Sequence, residues 1–236
     1  MISVIIPAYN EEKTVGEVID KIRTSLKGKK YEIIIVDDFS SDSTYKIAKY
    51  KNVKIIRHKK RTFGDVFLAL RKAKGNIIVR MDADLEHDPN DLPKMINYFE
   101  KNNLDLVLGK RPHFSRKVEY LLNKLYNFPI KDMFTGYIIF SRRFLPIILK
   151  YKMRLYWEFP IYAIRKRLRV GEIDVNFKKR EGKARFGGEI IGGLKTIKYF
   201  IEAERKISKV ISKFELPAAN ASKQTKTGNK KATYIS

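Results

Sequence analysis

Residues 76–89 read NIIVRMDADLEHDP, an apolar run that ends in a cluster of acids. The β-branched run predicts a buried strand, and Asp82 and Asp84 follow it directly. Two carboxylates buried together without a partner would each raise the other's pKa. A divalent cation removes that conflict, so we expect Mg²⁺ or Mn²⁺ at Asp82 and Asp84, with Glu86 and His87 within reach. Taken alone, the pattern fits an acidic loop at a helix start equally well.

Outward from this stretch, short β-branched runs alternate with amphipathic stretches through the first hundred residues. Apolar residues at three- and four-residue spacing predict helices over Glu11–Leu26, Ser43–Tyr50, Gly64–Lys72 and Asn90–Lys101. The runs between them predict strands over Ser3–Ile6, Glu32–Val36, Val53–Ile56, Asn76–Arg80 and Leu104–Leu108. Such alternation implies right-handed crossovers, and therefore an α/β fold with a doubly wound, mainly parallel, Rossmann-like sheet.

Ligands of such sheets bind at the carboxyl ends of the strands, and acids stand at several of these ends. Asp38 follows the second strand, where a carboxylate can accept hydrogen bonds from a nucleobase or a ribose hydroxyl. Capping of the next helix is the alternative. Tyr9 and Glu11 follow the first strand, where they can stack on a base and bond to base or sugar. Simple packing of Tyr9 and a favourable first-turn acid at Glu11 are the alternatives.

From about Met133 the regular alternation of short strands and helices ends. Further strands are predicted over Ile138–Phe140 and Val170–Phe177, and helices over Phe144–Lys150 and Glu158–Arg167. A long helical stretch broken by Gly192-Gly193 follows over Gly187–Phe214. Residues 216–236 have a composition that cannot bury a core, which predicts a disordered basic tail.

The composition limits the classes of partner. The 236 residues carry 50 Lys+Arg against 26 Asp+Glu, a formal charge of +24, and no cysteine. Thiolate metal sites and disulfides are therefore excluded. The excess charge attracts polyanions, and a basic nucleic-acid-binding module is the alternative from a different class. Because aromatics are not interleaved with the basic residues as in RNA-recognition modules, we expect no nucleic acid partner.

Two basic features stand late in the chain. The segment 180–185 presents Arg180 and Arg185 near two glycines, which suits a diphosphate or a lipid phosphate, although a solvated loop fits too. The second feature is an apolar stripe flanked by Lys and Arg, which indicates either a membrane-interfacial helix or packing on the domain. The stripe consists of Ile190, Ile191, Leu194, Ile197, Ile201, Ile207, Val210, Ile211 and Phe214.

Neither a signal peptide nor an uninterrupted run of about 18 apolar residues is evident in the sequence. We therefore expect a cytoplasmic protein that lies at the cytoplasmic face of the membrane as a peripheral protein.

Taken in order, the motifs resemble family 2 glycosyltransferases, and within them the dolichol-phosphate (polyprenyl-phosphate) mannosyltransferase branch. The resemblance covers residues 2 to about 190. It is carried by 4–11 (VIIPAYNE), 35–42 (IVDDFSSD), 80–89 (RMDADLEHDP), 109–111 (GKR), 132–137 (DMFTGY) and 177–185 (FKKREGKAR). The chain departs from the family at 61–64 (RTFG), where Gly-Leu-Gly is usual, and at 182–185, where Gly-X-Ser-Lys is usual.

The resemblance implies a GT-A fold and inverting transfer of a hexose, mannose or glucose, from GDP-mannose or UDP-glucose to dolichyl or polyprenyl phosphate. A family member acting on a glycan or another acceptor is the alternative. The resemblance assigns 1–186 to the catalytic domain, whereas the patterns described above predict an amphipathic, membrane-interfacial extension over 187–215 and the basic tail over 216–236. By position, the nucleotide would be bound by Pro7, Tyr9, Glu11, Val36 and Asp38. The metal and diphosphate site would hold Asp82, Ala83, Asp84 and Glu86, and the phosphates would be held by Arg111, Arg180 and Arg185. The catalytic residues would be Asp82, Asp84 and Arg111.

Overall fold

The computed structural model describes residues 1–62, 66–112, 121–122, 124–126, 128–155, 157–178 and 189–214. Within them, one seven-stranded sheet has the strand order β3-β2-β1-β4-β6-β5-β7. The strands are β1 (Ile2–Ala8), β2 (Tyr31–Asp37), β3 (Lys54–Arg57), β4 (Ile77–Arg80), β5 (Leu106–Lys110), β6 (Ile138–Ser141) and β7 (Val170–Asp174).

The sheet is mainly parallel, as the sequence predicts. Strands β3, β2, β1 and β4 run parallel to one another, and β7 runs parallel to β5. Strand β6 is antiparallel to both of its neighbours, β4 and β5. Because β4 and β5 both run antiparallel to β6, they point in the same direction and end at the same edge of the sheet.

Helices cover both faces of this sheet. They are α1 (Val15–Ser25), α2 (Thr44–Tyr50), α3 (Phe67–Lys72), α4 (Leu92–Lys101), α5 (Leu145–Lys150), α6 (Glu158–Arg165) and α7 (Glu189–Phe214). The predicted helices exist but most begin later or end earlier than their apolar patterns suggest. The predicted strand over Val170–Phe177 ends at Asp174, and Phe177 forms an isolated bridge with His87.

Strand β1 shows why the central strands are continuous apolar runs. All seven of its residues are buried. Val4 and Ile6 pack on the α1 and α4 side, whereas Ile5 belongs to the core on the opposite face. A strand covered on both faces has no polar side to present, which explains the absence of alternation in the sequence.

The strand order reverses between β1 and β4, and this position determines where ligands can bind. The chain builds outward from β1 through β2 to β3, then crosses to the other side of β1 to form β4. Helices then leave opposite faces of the sheet, and a crevice opens outside the carboxyl ends of the strands. The register pairs Ala8 with Asp37 and Ile5 with Arg80, so the segments following β1, β2 and β4 share this edge.

The C-terminal helix corrects one prediction from the sequence. Gly192-Gly193 does not break it, since α7 is continuous from Glu189 to Phe214. A glycine lowers helix stability by about 1 kcal/mol relative to alanine, which weakens a helix without ending one that is held by packing elsewhere.

Of the apolar stripe predicted along this helix, Ile207 and Val210 are buried and Ile201 is exposed. The side chains of Ile190, Ile191, Leu194 and Phe214 lie outside the described residues. The buried face carries Phe200, Ala203, Ile207 and Val210, which join the core of the domain, whereas Ile201 is 38% exposed. The ring of Phe200 contacts three other aromatic rings, those of Tyr126, Phe128 and Phe134. The second half of α7 is therefore a packed element of the fold, as the alternative interpretation held.

Among the described helices, none is both long and apolar enough to cross a bilayer. The predicted tail over 216–236 lies outside the described residues, and the predicted domain boundary at 186 stays a prediction.

Candidate active site

At the end of β2, Asp38 is held by a loop that follows β3. Its side chain is 2% exposed, and Oδ2 lies 2.5 Å from Nη1 of Arg61. Oδ1 accepts hydrogen bonds from the backbone N–H of Thr62 at 2.7 Å and from its hydroxyl at 2.6 Å. Three donors are therefore already directed at this carboxylate.

The guanidinium of Arg61 also stacks on Tyr9, with its Cζ 3.3 Å from the ring centroid. Tyr9 and Asp38, predicted separately as base-binding residues, are thus brought to the two sides of one position. The Arg61 guanidinium, a flat group with several N–H donors, lies there, stacked on the Tyr9 ring and hydrogen-bonded to the Asp38 carboxylate. A nucleobase has the same shape and the same kind of donors. Arg61 was not predicted from the sequence. The feature that could have pointed to it is the departure of residues 61–64 from the family pattern.

The other residues predicted to bind the nucleotide lie beneath this position. Pro7 and Val36 are paired in the sheet and buried. Glu11 is buried as well, and its backbone N–H donates to Thr44 Oγ1 at 2.7 Å while its carbonyl accepts the N–H of Val15 at the start of α1. These three residues place the loop that carries Tyr9, and their contact with a nucleotide stays a prediction.

At the end of β4, Asp82 is paired with the last residue of its own strand. Arg80 is 1% exposed, and its Nη2 and Nη1 donate to Asp82 Oδ1 at 2.7 Å and Oδ2 at 3.0 Å. Nη1 also donates to the carbonyl of Gly136 at 2.6 Å. The charge of Asp82 is thus balanced by a cation that the sequence analysis took only for a strand end. The side chain of Asp82 remains 32% exposed.

Gly136 makes this pair possible. A Cβ atom at that position would lie 2.3 Å from both Arg80 Nη1 and Asp82 Oδ2, closer than any real contact. The glycine of the stretch 132–137 is therefore required by the close approach of the ion pair to the backbone before β6.

Asp84 and Glu86 follow on a tight turn. Leu85 adopts a left-handed conformation with φ 62°, and Asp84 Oδ1 accepts the backbone N–H of Glu86 at 3.2 Å. Both acids are partly exposed, whereas Ala83 between Asp82 and Asp84 is buried in the core. The turn separates Asp84 from the core and leaves it at the crevice edge.

The predicted metal set of Asp82, Asp84 and Glu86 does not form a closed cage. Within the described ranges, no three Asp, Glu, His or Cys side chains come close enough together to hold a metal ion. Mg²⁺ bound beside phosphates uses one or two carboxylates, substrate oxygens and water rather than an all-protein cage. The partly exposed oxygen donors of Asp84 and Glu86 fit an ion held in that way.

His87, considered as a further ligand, is a buried neutral side chain. Burial lowers its pKa to about 4; Asp82 raises that pKa, and Arg111 and Arg80 lower it. The imidazole packs edge-on against Tyr137 and Phe177, and Nε2 lies 3.4 Å from the hydroxyl of Thr135. His87 is therefore a buried structural residue of the site.

Arg111 follows β5 and therefore lies at the same edge as Asp82. Its Nε and Nη2 each donate at 2.7 Å to the carboxylate of Asp132, which also accepts the Arg111 backbone N–H at 3.1 Å. The backbone N–H of Asp132 donates in turn to Glu172 at 2.6 Å, and burial raises the pKa of Glu172. Arg111 is thus a cation fixed in orientation by two successive carboxylates. The other two predicted phosphate ligands, Arg180 and Arg185, lie outside the described residues.

Comparison with known proteins agrees with this geometry. The pattern described as "Glycosyl transferase family 2" matches residues 3–158. A dolichol-phosphate mannosyltransferase from Pyrococcus furiosus is 41% identical over 125 residues, covering 50% of this chain and 35% of the relative. A dodecaprenyl-phosphate galacturonate synthase from Rhizobium johnstonii is 27% identical over 209 residues, covering 79% of this chain and 62% of the relative. The chain thus spans about a third and about three fifths of the lengths of these two relatives.

Among solved structures, glucosyl-3-phosphoglycerate synthase from Mycobacterium tuberculosis, in complex with Mn²⁺, UDP-glucose and phosphoglyceric acid, has a similar fold. The TM-score is 0.65 at 18% identity, covering 93% of this chain and 81% of that one. This likeness confirms the α/β fold expected from the sequence. The match to the family pattern extends over well more than half of the chain and includes the segments that hold Tyr9, Asp38, Asp82 and Asp84. The chain belongs to glycosyl transferase family 2.

Proposed function

We propose that the chain transfers a hexose from a nucleotide diphosphate sugar to a polyprenyl phosphate, with inversion at the anomeric carbon. One observation carries the proposal. The carboxylates that follow β2 and β4, Asp38 and Asp82–Asp84, flank the end of β1 at the point where the strand order reverses. A ligand lying across this crevice meets a base-binding position on one side and a diphosphate-binding position on the other.

The base would bind on Tyr9 and hydrogen-bond to Asp38. Guanine and uracil both present an N–H that a carboxylate can accept, so GDP-mannose and UDP-glucose both suit this position. Arg61 lies there in the present structure, and a base stacking on Tyr9 would shift it toward the edge of the pocket. An arginine so displaced still adds positive charge beside a phosphate-bearing ligand.

The diphosphate would lie over the turn after β4. A bound Mg²⁺ or Mn²⁺ would be held by Asp84, with Asp82 and Glu86 beside it, and would supply neutralising charge for the departing diphosphate. Arg80 fixes Asp82 from beneath, so this carboxylate keeps its orientation without any ligand. Preorganised charge of this kind costs no rearrangement during the reaction.

In the reaction, an acceptor phosphate oxygen forms a bond to the anomeric carbon as the bond from that carbon to the diphosphate oxygen breaks. The nucleoside diphosphate leaves with the electron pair. Because a phosphate oxygen is already ionised near neutral pH, no side chain has to remove a proton. The chain's residues therefore act by positioning: Arg111 is held in place by Asp132 to bind an acceptor or donor phosphate, with Arg180 and Arg185 as further candidates.

The relatives support the choice of acceptor. The two curated relatives are named for dolichol phosphate and dodecaprenyl phosphate, both phosphorylated polyprenols. Such an acceptor lies in a membrane, so the proposal includes peripheral contact with the cytoplasmic face of a bilayer. The sugars in the two names differ, mannose and galacturonate, so the names do not fix the donor sugar, and the proposal of a hexose follows the expectation from the sequence.

The test is a transfer assay with radiolabelled GDP-mannose and UDP-glucose, Mn²⁺ or Mg²⁺, and polyprenyl phosphate in detergent. We expect labelled lipid from one donor and none from 3-phosphoglycerate or a glycan acceptor. Label on either of those acceptors alone would replace the lipid acceptor with the alternative. If no donor turns over and the protein shifts RNA at moderate salt, the enzyme proposal fails in favour of a nucleic-acid-binding module.

A further inference from the structure

The turn that carries Asp84 and Glu86 is joined to the segment that follows β7. The backbone N–H of Lys178 donates to the carbonyl of Glu86 at 2.8 Å, and the N–H of Asp88 donates to the carbonyl of Asn176 at 3.3 Å. These two hydrogen bonds flank the isolated antiparallel bridge described above. Because β6 and β5 lie between β4 and β7 in the sheet, this short ribbon connects the ends of two strands that are not neighbours.

A side chain at the start of α4 holds the ribbon in place. A ribbon of two hydrogen bonds is too short to be stable alone, so its position depends on other contacts. The carboxylate of Asp91 belongs to a residue that is 4% exposed. Its Oδ2 accepts the backbone N–H of Asn176 at 2.6 Å, and its Oδ1 accepts the side-chain amide of Asn176 at 3.1 Å. Both oxygens are thus directed at one residue of the ribbon.

Asp91 precedes α4, a position where an aspartate ordinarily caps the helix by accepting backbone N–H groups of its first turn. In the part of the chain that the structure describes, the Asp91 side chain makes no such bond to α4 and instead reaches Asn176, 85 residues away. Lys94, in the first turn of α4, pairs with Asp91 at 3.0 Å and donates to the carbonyl of Asp174 at 2.7 Å. Two side chains at the start of α4 therefore hold the chain where it leaves β7.

The turn requires such support because of its conformation. Leu85 has a φ of 62°, a left-handed conformation that is disfavoured for residues other than glycine. A disfavoured conformation persists only where the surrounding structure holds it. The ribbon holds the turn at Glu86, and α4 is a firm anchor for the ribbon because four of its side chains are buried in the core.

We propose that Asp91 and Asn176 form a clamp that positions the turn of Asp84 and Glu86 for its divalent ion. The two residues are positioning residues, which act through the backbone hydrogen bonds of the ribbon and not as ligands. The inference rests on the proposed function, because it concerns the metal turn of the same site. It follows that the contribution of the ion to nucleotide binding depends on two side chains that bind neither the ion nor the nucleotide.

The experiment exchanges the two side chains of the clamp. Asp91→Asn replaces an acceptor with a donor that faces the N–H groups of Asn176, and Asn176→Asp sets a second carboxylate against Asp91. Both substitutions together restore a complementary pair at the same net charge, because the amide at 91 can accept the backbone N–H and donate to the carboxylate at 176. Asn176 is exposed, so Asn176→Asp leaves no hole in the core and serves if Asp91→Asn fails to fold.

The matched control is Asp105→Asn, the same change in another carboxylate that is 4% exposed. Asp105 precedes β5, at the edge of the sheet opposite the site, and accepts the backbone N–H of Arg169 at 3.0 Å. Calorimetric titration with GDP and with UDP, with and without Mn²⁺, gives the factor by which Mn²⁺ tightens nucleotide binding. Urea denaturation of each protein gives its stability.

Each single substitution in the clamp is expected to lower the Mn²⁺ factor about fivefold or more, and the combined variant should recover it to within about twofold. Asp105→Asn should lower the free energy of unfolding and keep the Mn²⁺ factor. An unchanged factor in both single variants, an equal loss in the control, or no recovery in the combined variant would overturn the clamp.

Sugar transfer to polyprenyl phosphate in detergent, measured in parallel, separates the clamp from the proposed function. Loss and recovery of the Mn²⁺ factor without transfer by any of the proteins would sustain the clamp and reject the proposed function. Transfer by the unchanged protein, with an Mn²⁺ factor that no substitution in the clamp alters, would sustain the proposed function and reject the clamp.

Discussion

Two carboxylates at the ends of the strands on either side of β1, Asp38 and Asp82, each pair with an arginine, but the two arginines come from different parts of the chain. Arg80 is the last residue of β4, is 1% exposed, and is also bonded to the backbone at Gly136. Arg61 comes from the loop after β3, keeps 29% of its side chain exposed, and rests on the face of Tyr9.

The difference separates a fixed part of the site from an exchangeable one. Arg80 cannot leave without exposing a hole in the core, so Asp82 has one orientation with or without ligand. Arg61 can swing to solvent, and its place on Tyr9 and Asp38 can be taken by a flat ligand. In the proposed function, the fixed pair belongs to the diphosphate side and the exchangeable pair to the base side, which suits a site that has to accept and release a nucleotide.

The largest effect is expected at Asp84, which lies on the turn after β4. Asp84→Ala should lower sugar transfer at least about a hundredfold, because the departing diphosphate loses its charge stabilisation. The melting temperature should stay within a few degrees, since Asp84 is partly exposed. The control Asp20→Ala, on the exposed face of α1, should leave the rate unchanged. Near-normal transfer by Asp84→Ala would remove the proposed role.

Removing Asp82 and removing Arg80 are expected to lower the free energy of unfolding by different amounts. Asp82→Ala leaves Arg80 charged in the core and should lower the free energy of unfolding by about 3 kcal/mol. Arg80→Met leaves a carboxylate that water can reach and should cost about 1 kcal/mol. Urea denaturation of both variants measures the difference. Equal losses would mean that the core does not hold Arg80 as described.

Gly136→Ala tests the same pair sterically. The added methyl group would overlap Arg80 and Asp82, so the pair has to move, at a cost of about 1–3 kcal/mol in unfolding free energy. Transfer should fall with it, because Asp82 loses its orientation. An alanine variant with wild-type stability and rate would show that the ion pair is not required in this geometry.

On the exchangeable side, Asp38→Ala should weaken nucleotide sugar binding by about tenfold to a hundredfold, through the loss of one charged hydrogen bond. Calorimetric titration with the preferred donor measures this. The matched change Glu17→Ala removes an exposed carboxylate that pairs with Lys21 within α1 and should leave donor affinity unchanged. Donor affinity unchanged in Asp38→Ala would place the base elsewhere.

The smallest effect is expected from Arg61→Met. Its loss removes a partly exposed ion pair and should lower the free energy of unfolding by less than about 1 kcal/mol. Comparison with Asp82→Ala by urea denaturation then contrasts the two sides directly. A loss of about 3 kcal/mol from Arg61→Met would show that this arginine, too, is a fixed part of the fold.

The parallel half of the sheet is predictable because β1, β2 and β4 are largely buried apolar runs and a helix follows each of its four strands. The sequence could not predict the direction of β6, since four apolar residues carry no information on which neighbours they pair with. The continuity of α7 past Gly192-Gly193 was likewise out of reach. It depends on burial of Phe200 and Ile207 by segments far away in sequence.

The acids of the site could be predicted from the sequence, but the arginines that pair with them could not. Asp38, Asp82 and Asp84 stand directly after apolar runs, so their position follows from the strands. Their partners follow from tertiary contacts: Arg61 lies 23 residues after Asp38, and Arg80 reads as an ordinary strand end. The acids alone suggest Asp82, Asp84 and Glu86 as metal ligands, whereas the arginine beside Asp82 could not be foreseen.

The central claim is that Asp84, at the end of β4, holds a divalent ion against the diphosphate of a sugar donor. The most direct measurement is thermal stabilisation of the wild type and of Asp84→Ala by nucleotide sugars, each with and without Mn²⁺. Mn²⁺ should strengthen stabilisation by one donor in the wild type and have no such effect in Asp84→Ala. Equal Mn²⁺ dependence in the two proteins, or no donor stabilising the wild type, would contradict it.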